Sequence, residues 1–400
     1  MRRQLLPSLC LIALLASCQS YKKIHKEAVL IDTHNDVLSS VTMNGLSIEH
    51  DLTGKAQSDI ARFKKGGVDV QVFSIFCDEK FGKDTAFKFA NIEIDSLYAI
   101  VNRNPGKMMM VTNPGQLQEA VNQKKLGCMI GVEGGHMIED KLANLDSLYQ
   151  RGALYMTLTW NNSTSWATSA ADESTMAPGT QRGLTPFGRQ VVNRMNQLGM
   201  MVDLSHVGIQ TFWDAINTTT RPVIASHSDA YALCPVPRNL DDKQILAIAR
   251  KGGIIDLNFY SGFLDSNYQS RQKEFNTRHQ YQIDSLKALK WASYSIEEWM
   301  AKEYPAEANA LRPPLSVLLD HLDHIVKLAG VDHVGIGSDF DGISSSPQQL
   351  DDVTSFPLIT RELLKRGYKK GDIYKILGGN FIRVFKACQE GTQSTTTAIK

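Results

Sequence analysis

The sequence predicts an α/β chain folded as one (β/α)8 TIM barrel, with a helical insertion after the seventh strand. Three observations carry that prediction. Eight short β-rich runs recur along the chain. Most are separated by amphipathic stretches of helical period. No internal repeat or domain boundary divides them. The length of 400 residues would suggest more than one domain, but α/β barrels run longer as a single unit.

The strands are expected at 29–33, 68–76, 129–132, 153–159, 200–204, 223–226, 253–258 and 334–337. Each is a short apolar run bounded by polar or glycine-rich residues. A ninth run at 108–112 is ambiguous and reads as an extra strand outside the barrel. Amphipathic helices are expected at 185–198 and 314–328. Thr185-Pro186 and Asp241-Asp242 read as helix starts, with acceptor side chains or Pro at the first position. The segment 260–314 is too long for a plain βα connection. Its Lys/Arg/Glu/Gln-rich middle, 271–302, reads as inserted helices over the barrel's top face.

Composition excludes several classes. With 42% hydrophobic residues, 13 Pro, and 43 Lys plus Arg against 42 Asp plus Glu, the chain is neither collagen-like nor largely disordered. No basic excess is available to displace counterions from nucleic acid. Cys77, Cys128, Cys234 and Cys388 permit a disulfide but contain no zinc-ribbon spacing.

The amino terminus reads as a targeting segment. Arg2 and Arg3 precede a short apolar stretch at 5–15, too short for a mature membrane span. Leu15-Ala16-Ser17-Cys18 resembles the lipobox of bacterial lipoproteins, which implies a lipid on Cys18. The alternative is an incidental cysteine beside a cleavage site. The expected organisation is a signal peptide at 1–17, a linker at 18–27, one barrel domain at 28–388 and a disordered Thr/Ser-rich tail at 389–400. A lipid at Cys18 would anchor the protein to a membrane of the cell envelope, and Gln19 in place of Asp favours the outer membrane.

Reactive side chains gather at the strand ends. The first strand ends in Asp32-Thr33-His34-Asn35-Asp36, where His34 and Asp36 share a face of an extended segment. The third is followed by Glu133, the fifth by Asp203-Leu204-Ser205-His206, the sixth by His227 and the eighth by Asp339-Phe340-Asp341. In a barrel these ends converge on one mouth. Three imidazoles and several carboxylates there suit a pair of divalent ions, most simply Zn²⁺, and so a barrel of the metal-dependent hydrolase type. Each residue alone has a plainer reading, as a structural histidine, a cap or a turn acceptor. His25, His50, His279, His321, His324 and His333 follow no strand and read as surface or packing residues. His136 stays open as a residue behind the site.

In order along the chain, these strand-end motifs, with Gly131-Val132-Glu133-Gly134-Gly135-His136, Ser226-His227-Ser228, Arg238-Asn239-Leu240 and Gly378-Gly379-Asn380-Phe381, resemble the membrane (renal-type) dipeptidases, the M19 metallopeptidases. The resemblance spans 28 to 385. It implies two zinc ions per chain, one held by His34 and Asp36, the other by His206 and His227, with Glu133 bridging. It implies that Arg238 grips the dipeptide's terminal carboxylate, that Tyr260 assists it, and that Asp339 is the catalytic acid/base beside Glu133. A hydroxide shared by the metals would attack the scissile carbonyl, and two free amino acids would leave. Trp160 stands where vertebrate members carry a histidine. The oxyanion contact would then fall to Asn161 or to zinc, or the substrate would differ; alternatively Trp160 simply packs over the pocket. Two other readings remain open: a binuclear-zinc amidohydrolase acting on another amide or lactone, such as an acyl-amino acid, and a non-catalytic envelope lipoprotein. Relatives are often dimers, so a homodimer is among the expectations.

Overall fold

The structure is a computed structural model and describes residues 21–291 and 293–390. The signal segment, Cys18 and the end of the tail lie outside those residues. Nine parallel strands form one sheet: β1 (Ile31–Asn35), β2 (Val70–Ile75), β3 (Met108–Met110), β4 (Leu126–Val132), β5 (Ala153–Thr157), β6 (Met201–Asp203), β7 (Val223–Ala225), β8 (Ile254–Leu257) and β9 (Val334–Ile336). Their order is β1-β2-β4-β5-β6-β7-β8-β9. The ring closes through Asn35 and Phe340: Asp36 N–H donates to Phe340 O at 3.0 Å, and Asp339 N–H to His34 O at 3.1 Å. This is the expected eight-stranded TIM barrel.

The ambiguous run at 108–112 forms β3, which lies off the closed path. β3 pairs with residues 126–128 at the start of β4, while β5 joins β4 only from Ile130 onward. The extra strand therefore satisfies backbone groups at the foot of β4 that the later-starting β5 leaves open.

The barrel strands are buried on both faces, and successive side chains alternate between an inner and an outer core, as period two requires. Ile31, Val70, Leu154, Met201, Ile224 and Ile254 share a cluster with Phe381, Val384, Phe385 and Cys388 of the helix Asn380–Gln389. That helix packs on the barrel's lower layer. Outward-facing Phe73, Ile130, Met156, Val202, Ile255 and Ile336 join the larger core beneath the surrounding helices. The sequence-derived helix starts are present: Thr185 accepts from Gly188 N–H ahead of Pro186–Leu198, and Asp241 forms a capping box with Gln244.

Two boundaries differ from expectation. Residues 21–27, expected as a linker, are helical. Tyr21, Ile24 and Ala28 are buried, and the His25 ring bonds Thr360 Oγ1 and Gly66 O, each at 2.8 Å. The last helix also reaches Gln389, into the span expected as a disordered tail. In both places a few apolar side chains find cover, which local composition does not reveal. Cys77, Cys128, Cys234 and Cys388 are buried free thiols. No helix among the described residues is long and apolar enough to cross a membrane.

The long segment after β8 folds as helices Ser261–Leu264, Tyr268–Arg278, Gln280–Ala288, Ser293–Glu303 and Pro305–Leu311. They hold a separate small core of Tyr268, Phe275, Ile283, Leu286, Ile296, Met300 and Leu311. His321, in Leu315–Ala329, ties this side of the barrel to the site loops. Its Nδ1 accepts from Ala230 N–H at 3.1 Å, and its Nε2–H donates to Leu264 O at 3.0 Å. Both bonds need the neutral ring. Burial lowers the His321 pKa to about 4. A histidine whose folded pKa lies below its unfolded value stabilises the fold fully above about pH 6.5 and progressively less as pH falls towards 4. Chemical denaturation between pH 7 and 4.5 should show a loss of up to about 3 kcal/mol from this group. His321→Gln, which keeps a neutral donor and acceptor, should flatten that slope.

Candidate metal centre

Every candidate ligand lies at or just beyond the carboxyl end of a strand, at one mouth of the barrel. His34 is on β1 and Asp36 follows it; Glu133 follows β4, His206 β6, His227 β7 and Asp339 β9. His206 and Asp339 hold left-handed backbone, with φ of 65° and 60°. Such strain in non-glycine residues costs on the order of 1–3 kcal/mol and persists only where surrounding structure enforces it. It turns both side chains inward.

Glu133 sits at the centre. Its Oε1 lies 2.9 Å from His206 Nε2 and 3.5 Å from His227 Nε2. Its Oε2 lies 3.6 Å from His34 Nε2. The same His34 nitrogen is 3.4 Å from Asp36 Oδ2 and 4.0 Å from Asp339 Oδ1. Two overlapping groups result, His34–Glu133–His227 and His34–Asp36–Asp339, each compact enough to hold a cation.

The other ring nitrogen of each histidine is occupied. Tyr155 OH donates to Thr33 O at 2.9 Å and therefore accepts from His34 Nδ1–H at 2.9 Å. Ser226 Oγ donates to Asp203 Oδ2 at 2.6 Å and accepts from His227 Nδ1–H at 2.7 Å. Asn161 Oδ1 accepts from His206 Nδ1–H at 3.2 Å. These bonds leave all three Nε2 lone pairs turned on the cluster, the arrangement that metal-binding imidazoles use. The fit to a cation is visible in the protein atoms. His206 Nε2 and His227 Nε2 face each other at 2.9 Å, which sets two lone pairs together unless positive charge lies between them. His34 Nε2 and Asp36 Oδ1 are buried without a hydrogen-bond partner, a costly state that a metal would relieve.

Electrostatics agree. Burial lowers the His206 pKa to about 4 and holds His227 well below its usual value, so both rings are neutral at pH 7. Burial alone would raise Glu133, but His34, His206 and His227 hold it well below the usual carboxylate range. Burial opposes charge on His34, yet Tyr155, Asp36 and Glu133 raise its pKa. This part of the cup demands positive charge, whether proton or metal. Burial, with Asp36 and Glu133 nearby, drives Asp339 well above the ordinary range. Asn258 Nδ2 donates to Asp339 Oδ2 at 2.8 Å and leaves Oδ1 facing the cluster.

A cavity of about 720 Å³ opens above these residues, and Arg238, Tyr260, Trp160 and Asn161 line it. Arg238 donates towards His227 O at 3.3 Å, and its Nε has no partner. Trp160 packs against Phe76 with the rings tilted at 54° and their centroids 4.7 Å apart. Asp341 also lines the cavity, but its Oδ1 is held by Gln57 N–H at 2.6 Å and it belongs to neither compact group. His136 donates to Cys77 O at 2.8 Å and faces none of the cluster. His279 and His324 pair with Glu307 and Asp242 at the periphery. The sequence assigned no role to Tyr155, Ser226 or Asn258, because their hydrogen bonds to the candidate ligands leave no local signal. Gly131 was the available clue: a Cβ there would fall 2.1 Å from the Tyr155 ring.

A (β/α)8 barrel with such a cup defines a metal-dependent hydrolase. A family model described as membrane dipeptidase (peptidase family M19) matches residues 18–398, and the chain belongs to that family. It is a dipeptidase-type metallopeptidase. An uncharacterized dipeptidase of Schizosaccharomyces pombe is 31% identical over 387 residues, covering 92% of this chain and 82% of that protein. Among solved structures, the probable dipeptidase PvdM of Pseudomonas aeruginosa is 24% identical with a TM-score of 0.77, covering 94% of this chain and 98% of that one. A metallopeptidase of Rhodobacter sphaeroides, liganded with a phosphinate mimic of the dipeptide L-Ala-D-Ala, is 23% identical with a TM-score of 0.72, covering 90% and 100%. Those two similarities establish the shared fold.

Tyr155→Phe deletes the acceptor of His34 Nδ1–H while keeping the ring that fills the space over Gly131. Metal affinity, measured by competition with a chelator, should fall about 10- to 100-fold, and the metal-free protein should lose about 1–3 kcal/mol of stability, because Thr33 O and His34 Nδ1–H lose their buried partner.

Proposed function

We propose that this protein is a zinc-dependent dipeptidase that hydrolyses dipeptides to free amino acids. The observation that carries the reading is the convergence of three Nδ1-anchored imidazoles on one shared carboxylate, with Arg238 on the wall of the same cavity. His34 and Asp36 would hold one ion, His206 and His227 a second, and Glu133 both. When bound, zinc supplies a water acidic enough to ionise near neutrality and a Lewis acid for the scissile carbonyl.

The chain's own residues do the rest. Arg238 presents a planar guanidinium to the terminal carboxylate of a dipeptide, a bidentate match that a longer peptide would miss. Tyr260 stands beside it on the cavity wall. Asp339 Oδ1, free of the bond that fixes Oδ2, takes a proton from the attacking water and hands it to the leaving amine. Asn161 orients His206 through its carbonyl. Trp160 and Phe76 shield one flank of the cavity from water. The sequence adds a proposal on location: a lipid on Cys18 would tether the enzyme at the cell envelope.

Zinc content and hydrolysis of L-Ala-L-Ala and L-Ala-D-Ala test the reading directly. Wild-type protein should carry about two zinc per chain and cleave at least one of the pair. Glu133→Ala should lose both metal and cleavage. Asp339→Asn should keep most of its metal and lose about 10²- to 10⁴-fold in kcat. Bound zinc without cleavage of any dipeptide would shift the assignment to another amide or a lactone.

A further inference from the structure

We propose that the amino-terminal subsite is an aromatic wall, and that the enzyme selects dipeptides whose amino-terminal residue is large and apolar or aromatic. The inference rests on the dipeptidase reading above and deepens it.

The barrel's strand order fixes which side of the cavity meets which end of the substrate. In the ring β1-β2-β4-β5-β6-β7-β8-β9, three strands separate β2 from β7 in either direction, so the two stand opposite one another. Arg238 lies on the connection after β7. Phe76 follows β2, and the same connection supplies Phe81 and then Phe89, in the helix Ala86–Arg103. Glu133, His206 and Asp339 line the cavity between these sides. A dipeptide held at Arg238 by its carboxylate, with its scissile carbonyl over the cluster, must place its amino-terminal residue towards the β2 side.

That side is built of aromatic rings. Phe76 and Trp160 meet at 4.7 Å between centroids, and Phe81 and Phe89 at 4.8 Å. All four line the cavity. Phe81 is 39% exposed, and the other three are only half-buried. Apolar rings held open at the mouth of a polar cup gain by being covered, and an apolar substrate side chain covers them. The one cation on this wall, Lys80, is 3.7 Å from Asp78, so no net charge there calls for an acidic side chain. At about 720 Å³ the cavity is in the range that accepts drug-sized ligands, so it leaves room for a bulky amino-terminal residue.

The test is a panel of zinc-loaded assays on Gly-Ala, Ala-Ala, Leu-Ala, Phe-Ala and Asp-Ala, in which only the amino-terminal residue changes. Phe-Ala should exceed Gly-Ala in kcat/KM by about tenfold or more, with Asp-Ala among the poorest. Phe81→Ala, at an exposed position that the fold does not need, should shrink the Phe-Ala to Gly-Ala ratio about three- to tenfold. Trp160→Ala, which removes the ring packed on Phe76, should shrink it as well. The ratio of Ala-Phe to Ala-Gly should not follow Phe81→Ala, because that side chain points to the other half of the cavity. A flat panel, or a ratio unmoved by both substitutions while Gly-Ala is still cleaved, would overturn the inference and leave the dipeptidase reading intact. Failure to cleave any dipeptide would overturn both.

Discussion

Three hydrogen bonds made away from the cluster govern what the cluster can do. Tyr155, Ser226 and Asn161 each accept the Nδ1 proton of a histidine. Each bond fixes a tautomer and a ring orientation and leaves an Nε2 lone pair pointing at Glu133. Two of the three are themselves anchored. Tyr155 donates to the backbone of β1. Ser226 donates to Asp203, whose oxygens also accept from Thr157 Oγ1, Ser205 N–H and Ser226 N–H. The centre therefore inherits the rigidity of four barrel strands rather than that of loops.

The barrel sets the cost of this arrangement as well as its geometry. Buried carboxylates and facing imidazoles are expensive without a counter-charge. The left-handed backbone at His206 and Asp339 adds strain. The fold bears both because its stability is generated elsewhere, in the apolar layer under the helices and the cluster shared with Asn380–Gln389. A native metal would return part of that cost by binding only the folded chain.

Specificity is divided around the ring. The cup of candidate ligands is contributed by β1, β4, β6, β7 and β9, while the connections after β1, β2, β5, β7, β8 and β9 raise the cavity walls above it. The insertion after β8 braces one wall. Tyr260 packs on its small core, and Ser344 donates to Glu297 at 2.6 Å across to the loop after β9. The connection after β2 raises a wall without supplying a candidate ligand, so it can vary without moving the cup, whereas His227 and Arg238 share the stretch after β7.

Much of this was legible in the sequence. Short apolar runs ending in His, Asp or Glu placed β1, β4, β6, β7 and β9 and named His34, Asp36, Glu133, His206, His227 and Asp339, because a strand end needs no distant partner to be recognised. Length and a Lys/Arg/Glu/Gln-rich middle marked the insertion. What the sequence left open depended on contacts between residues far apart. β3 exists because β5 starts late beside β4. The helix at 21–27 exists because Ile24 and His25 find cover against residues near 66 and 360. Asp203 and Asp341 read like ligands, but tertiary contacts spend them on Ser226 and on Gln57. Tyr155 looked like one more apolar strand residue until folding set its hydroxyl between Thr33 and His34. The sequence by itself determined the barrel and the chemical types at its mouth, since both follow from local pattern. Only the tertiary structure decided which acids face the cluster and which nitrogen of each histidine is free, since both depend on hydrogen bonds between strands.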